Sequence, residues 1–145
     1  LSTDKGSKKE YKIIKTFAAH IRNIFSGLNE PHIYKLESCN VHFPMTIKKE
    51  GEFLIINNFL GEKIPRKAAI VSGAEVEIKG NIITVSSYDK DVAGQTAANI
   101  EKATKVKGRD RRIFQDGIFI TDKPRRALQW KLRNLLEEIL KDTQS

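Results

Sequence analysis

Between Lys102 and Arg112 the chain sets six basic residues, Lys102, Lys105, Lys107, Arg109, Arg111 and Arg112, against a single acid, Asp110, a local charge of +5 in eleven residues. Cations this dense repel one another unless an anion is near, and guanidinium and ammonium groups bind phosphate oxygens while releasing condensed counterions. The chemistry this spacing suits is phosphate contact through Lys105, Lys107, Arg109, Arg111 and Arg112, with a solvated charge run as the plain alternative. Gly108 would let backbone approach a phosphate closely, or simply cap the helix before it. Phe114 can stack on an unpaired base, although Ile113 beside it favours a core position. A sparser basic patch, Lys63, Arg66 and Lys67, lies in the segment GEKIPRK, where loop solubility explains it nearly as well.

Catalytic chemistry fits poorly. Cys39 and His42 are three positions apart in an extended segment, so a regular strand points them to opposite faces and denies them a nucleophile–base contact. Cys39 with His20, His32 and His42 has no recognised zinc spacing, and structural histidines are the simpler reading. Asp89 and Asp91 suit a helix start better than paired acid–base work. Gly61-Glu62-Lys63 has no second glycine at phosphate-loop spacing, and no G-x-G-x-x-G occurs. The expectation is a protein with no catalytic residues, metal, cofactor or small-molecule substrate.

The elements that must hold the basic run are legible around it. Ser87 or Asp89 caps a helix whose inner face, Ala93, Ala97, Ile100 and Thr104, is small enough to lie close on a sheet, and Gly108 stops it. Asp116-Gly117 reads as a turn into a strand at Ile118 to Ile120, so the basic loop is anchored at both ends. Upstream, Ile33 to Phe43 is extended, with a parity change between Tyr34/Leu36 and Cys39/Val41/Phe43 that implies a bulge. Met45 and Ile47 lead through a polar turn, Lys48 to Glu52, into Phe53 and Ile55. A short strand follows at Ala68 to Val71. Val76 and Ile78 alternate with charged residues, and Gly80-Asn81 turns the chain into Ile82 to Val85, the cleanest hairpin of the chain.

These elements make residues 32–123 an α+β domain, a small antiparallel or mixed sheet covered by one helix. Residues 1–31 form a polar, flexible start and a helix with the apolar stripe Ile13, Phe17, Ile21, Ile24 and Leu28. Residues 124–145 place Leu128, Leu132, Leu135, Leu136, Ile139 and Leu140 on one face of an amphipathic helix, with Trp130 opposite. That helix must dock on this chain or another, and the stripe at Ile13 to Ile21 is one candidate surface.

The 145 residues, 39% hydrophobic and 30% charged, have a globular composition. The net charge of +8 is concentrated at +4 in residues 1–28 and +5 in 102–112, around a near-neutral body. Nucleic acid fits this distribution better than a membrane surface, which would need the cations opposite a broad apolar helix face. The longest apolar runs are four residues, too short to span a bilayer, and the single cysteine suits a reducing, cytoplasmic setting.

G-Q-T-A-A-N-I-E-x-A-T-x-x-K-x-x-D-R-R-x-F-Q-D-G-I, from Gly94 to Ile118, resembles large-subunit ribosomal protein six in its archaeal form. H-F-P-M-T at His42 to Thr46, N-F-L-G-E-K at Asn58 to Lys63 and A-H-I-x-N at Ala19 to Asn23 are similar to the same family in the same order, so the likeness runs from Lys9 to Asp122. The resemblance implies a structural component of the large ribosomal subunit that binds its ribosomal RNA near the factor-binding, sarcin-ricin region, beside neighbouring ribosomal proteins. It also brings Gly94 and Gln95 into the RNA-binding set. It implies two similar α/β domains in tandem, of which the helix at Ile13 to Leu28 would close the first; the strands of that domain are missing, so the chain is a fragment or has lost that half. The alternative is an RNA-associated interaction module that recruits a protein through residues 124–145.

Overall fold

The computed structural model describes residues 6–124. Ser7 opens the first helix, α1 (Lys8–Asn29): its hydroxyl accepts from the Glu10 N–H at 3.3 Å, and the Glu10 carboxylate accepts from the Ser7 N–H at 2.9 Å. This reciprocal pair satisfies two donors that a helix start leaves orphaned, so α1 begins inside the stretch expected to be flexible. Among the described residues nothing covers its apolar stripe. Ile13, Phe17, Ile21, Ile24, Phe25 and Leu28 are 44 to 68% exposed among the described residues. Gly27 is its one buried residue, packed so closely on the Tyr88 carbonyl that a Cβ would collide with it. The His32 ring N–H donates to the Asn23 carbonyl at 3.1 Å, and His20 meets Asp91 at 3.4 Å.

Among the described residues seven strands form two sheets, where one was expected, and every pairing is antiparallel. The larger contains β1 (His32–Cys39), β5 (Glu75–Lys79), β6 (Ile82–Ser87) and β7 (Gly117–Asp122) in the order β5-β6-β1-β7. The smaller contains β2 (Thr46–Glu50), β3 (Phe53–Asn57) and β4 (Arg66–Ala69) in chain order. The β5–β6 hairpin pairs Val76 with Val85 and Ile78 with Ile83 around Gly80, whose φ of 61° suits a two-residue turn. β2 carries Lys48 to Glu50 within the strand, so the turn is only Gly51-Glu52. The strand expected at Ala68 to Val71 starts two residues earlier and ends two earlier.

The parity change expected in the first strand is absent. β1 buries His32, Leu36 and Ser38 on one side without interruption, and Val41 and Phe43 lie beyond its end. The bulge sits on its partner: Lys35 pairs with Asp122 but Leu36 with Ile120, leaving Thr121 as the extra residue. Thr121 turns its hydroxyl to the Lys35 carbonyl at 3.1 Å.

The second helix, α2 (Lys90–Ala103), has Asp89 as N-cap, accepting from the Asp91 N–H at 2.9 Å. It buries Ala93, Thr96, Ala97 and Ile100 and covers both sheets. Small side chains permit that approach, and two polar ones stitch it down: the Thr96 hydroxyl accepts from the Val71 N–H at 3.2 Å, and the Asn99 amide donates to the Ala69 carbonyl at 3.1 Å. Beneath it Leu36, Ile83, Val85 and Ile118 of one sheet and Leu54, Ile56 and Ala68 of the other join a single core. Each fully buried Leu or Ile contributes about 1.5–3 kcal/mol of burial energy. The amphipathic segment expected over 124–145, Trp130 included, lies outside the described residues except for Pro124.

Candidate nucleic-acid interface

α2 stops at Thr104, four residues before the expected Gly108. Thr104 is withdrawn from the helix by the strand it serves: its hydroxyl oxygen accepts from the Ile118 N–H at 2.9 Å and its proton goes to the Glu101 carbonyl at 3.3 Å. Val106, 6% exposed, then inserts into the core and breaks the helical path, leaving Lys105 and Lys107 exposed on either side. Gly108 is therefore not the cap. It sits at φ 68° in open space, a left-handed bend that glycine adopts without strain.

From there the loop holds itself. The Asp110 carboxylate accepts from the Arg112 N–H at 3.0 Å, and its carbonyl from the Phe114 N–H at 2.9 Å, so the one acid in the run is used as a turn former. Phe114 is half-buried, stacked on His42 with centroids 4.9 Å apart, and the Arg109 guanidinium lies 4.9 Å from its ring centre. At the far end Asp116, its side chain wholly buried, accepts from the His42 ring at 2.9 Å and from the His42 backbone N–H at 3.2 Å. Burial pushes that carboxyl up, but the donors from His42 and the Phe43 backbone outweigh it and hold it below the usual range. Gly117 follows because a Cβ there would press on the Thr104 carbonyl and the Phe119 ring.

The expected site residues divide into three groups. Lys105, Lys107, Arg111 and Arg112 are exposed, with no side-chain ion pair or hydrogen bond among the described residues, and Arg109 rests on Phe114. The second patch is brought to the same place by Arg66. Its guanidinium makes a two-pronged pair with Glu62 at 2.7 and 2.8 Å, donates to the Ala103 and Lys105 carbonyls at 2.9 and 3.3 Å, and lies 4.3 Å from the Phe59 ring centre. Hydrogen bonds from Arg66 hold the Glu62 carboxyl below its usual range, against desolvation, with Arg109 adding to the effect. Arg66 thus caps the carboxyl end of α2, while Lys63 stays exposed in the loop before it and Lys67, the next residue of β4, is exposed on the opposite face of the sheet. Gly94 and Gln95 stand apart, roughly 12–14 Å up the helix from Ala103 at the α-helical rise. Gly94 packs under Tyr34, whose hydroxyl would be 3.0 Å from an added Cβ, and the Gln95 amide donates to Asn99 at 2.9 Å.

Sequence reasoning missed the His42–Asp116 pair, whose members are 74 positions apart. It also missed a cavity of about 610 Å³ between the end of α2, the loop and β7. Among the described residues no helix is long and apolar enough to cross a membrane, and no cluster of His, Cys, Asp and Glu could hold a metal ion.

Residues 43–117, from the turn before β2 to the first residue of β7, match the family model described as Ribosomal protein L6. The chain is 48% identical over 121 residues to large ribosomal subunit protein uL6 of Methanococcus vannielii, covering 83% of this chain and 66% of that one. It is 48% identical over 122 residues to the Archaeoglobus fulgidus protein of the same name (84 and 62% covered), and 44% over 127 residues to that of Haloarcula marismortui (88 and 71%). The chain thus spans about two thirds of the length of these relatives. The matched stretch runs through both sheets, α2 and the whole basic loop, and the chain belongs to the ribosomal protein L6 family.

Proposed function

We propose that this domain is a structural, non-catalytic component of the large ribosomal subunit in the cytoplasm, holding ribosomal RNA by its phosphates near the factor-binding, sarcin-ricin region, against neighbouring ribosomal proteins. One observation carries the reading: Lys105, Lys107, Arg111 and Arg112 project from a loop whose ends are fixed by buried groups and whose turn is held by Asp110, yet none has a protein anion of its own among the described residues. A loop backbone fixed in advance leaves only the cations' side-chain freedom to be lost on binding, and it converts Coulomb attraction into position. Lys63 extends the surface, Arg109 serves from its seat on Phe114, and Gly108 lets the backbone draw near, while Lys67 would make a separate contact from the opposite face of β4. Arg66 supports the surface from beneath, its donors being directed to Glu62 and the end of α2. Gly94 and Gln95 would make a separate contact higher on α2.

The test is co-sedimentation with large subunits, and binding to large-subunit RNA at graded salt. Neutralising about five phosphates gives a slope of log affinity against log salt of roughly −3 to −5. Replacing Lys105, Lys107, Arg111 and Arg112 by Gln should flatten that slope without changing thermal stability. A wild-type slope near zero would overturn the proposal.

A further inference from the structure

We propose that the cavity beneath the basic loop is a seat for one unpaired RNA base, stacked on Phe119 with its flanking phosphates on Lys102, Lys105 and Arg111. The proposal rests on the RNA-binding reading and adds to it a base-contacting site. The cavity, about 610 Å³, lies within the size range of small-ligand sites and is walled by Val106, Phe114 and Phe119. Phe114 is engaged by His42 and Arg109, so it serves as a wall. Phe119 is the available platform: it is 46% exposed on β7, its ring lying over Gly117, where an added Cβ would come within 3.2 Å of it. A large aromatic side chain left half open beside three cations with no protein partners among the described residues suits a flat apolar group joined to phosphate, which is a nucleotide.

The polar lining gives a preference. Asp116 is taken up by His42, whereas the Glu101 carboxylate has no side-chain partner among the described residues. A carboxylate accepts from the exocyclic amines of adenine, cytosine or guanine, but is repelled by the two carbonyls that flank the single edge N–H of uracil. The seat therefore disfavours uracil.

Three RNA hairpins of one sequence, carrying a single bulged adenosine, a bulged uridine or a bulged abasic site, would be titrated with the full chain by fluorescence anisotropy. Because base–aromatic stacking is a sizeable contribution per base, the adenosine bulge should bind about tenfold tighter than the abasic one. The difference should fall to within about twofold in Phe119→Ala, and in Phe119→Leu, which keeps apolar bulk without a π face, while the salt slope stays unchanged because the phosphate contacts remain. The uridine bulge should bind about threefold weaker than the adenosine bulge, a gap that Glu101→Gln should close by removing the acceptor-only carboxylate. Steep salt dependence with equal affinity for adenosine and abasic bulges would overturn the seat while sparing the RNA reading, and would leave the cavity to a side chain of a neighbouring protein. Persistence of the preference in both Phe119 variants would overturn it as well. Absence of binding to all three hairpins at low salt would overturn both proposals together.

Discussion

Asp116→Asn would test whether the far anchor of the basic loop works as a charge. The native carboxylate is wholly buried and accepts from the His42 ring N–H at 2.9 Å and the His42 backbone N–H at 3.2 Å, with the Phe43 N–H as a further donor. Asn keeps the shape and one acceptor but turns its own donor toward one of these N–H groups. Losing one charge-assisted hydrogen bond costs about 1.5–3 kcal/mol, partly offset because a buried amide is cheaper to desolvate than a buried carboxylate, so about 2 kcal/mol at pH 7 is expected. The carboxyl is held below its ordinary value of 3.8 in the fold. Its contribution is therefore fully present above the unfolded carboxyl's value of about 3.9 and is lost as pH falls through the lower folded value. Urea unfolding of both proteins at pH 7, 5, 4 and 3 should show a gap that narrows below about pH 4. A gap under about 0.5 kcal/mol at pH 7, the scatter of ordinary surface substitutions, or one that does not narrow in acid, would refute the role assigned to Asp116.

Arg66→Lys keeps the charge but loses the planar fork that spans Glu62 and two carbonyls at the end of α2; destabilisation of about 1–2 kcal/mol is expected by thermal unfolding, with weaker RNA binding, since each lost charged hydrogen bond is of that order. Thr104→Val removes the acceptor of a buried N–H at Ile118, and chemical denaturation should show a loss of about 1–3 kcal/mol, the cost of leaving such a group unmet. Gly27→Val drives a side chain into the Tyr88 carbonyl, so hydrogen exchange should speed up through α1 and leave the amides of β1 and β6 protected.

The parts of this domain that depend on near neighbours were readable. The β5–β6 hairpin follows from alternating Val76 and Ile78 and from Gly80, and the buried face of α2 from Ala93, Ala97 and Ile100. The readings that failed needed a distant partner. Gly108 carries the usual mark of a helix stop, but the stop comes at Thr104, because Val106 finds the core and Ile118 needs an acceptor. Asp116-Gly117 has the composition of a turn, yet its carboxylate is taken by a histidine in the β1–β2 connection. Arg66 looks like a surface cation until the Ala103 and Lys105 carbonyls are placed beside it. Local pattern reports propensity and period; the destination of a polar side chain is set by tertiary contacts.

The contact between Thr104 and Ile118 has one more consequence. Because the chain leaves the helix and enters the strand at two residues joined by a 2.9 Å hydrogen bond, everything between them is a closed excursion from a single point of the fold. Val106, Phe114 and Asp116 tie its base, leaving residues 107–113 as an insert whose length the rest of the domain scarcely feels, since doubling a loop adds only about 0.6 kcal/mol of closure entropy. That makes the segment an interchangeable cassette. Its sequence could be exchanged between relatives to retune what the surface grips without redesigning the scaffold that presents it.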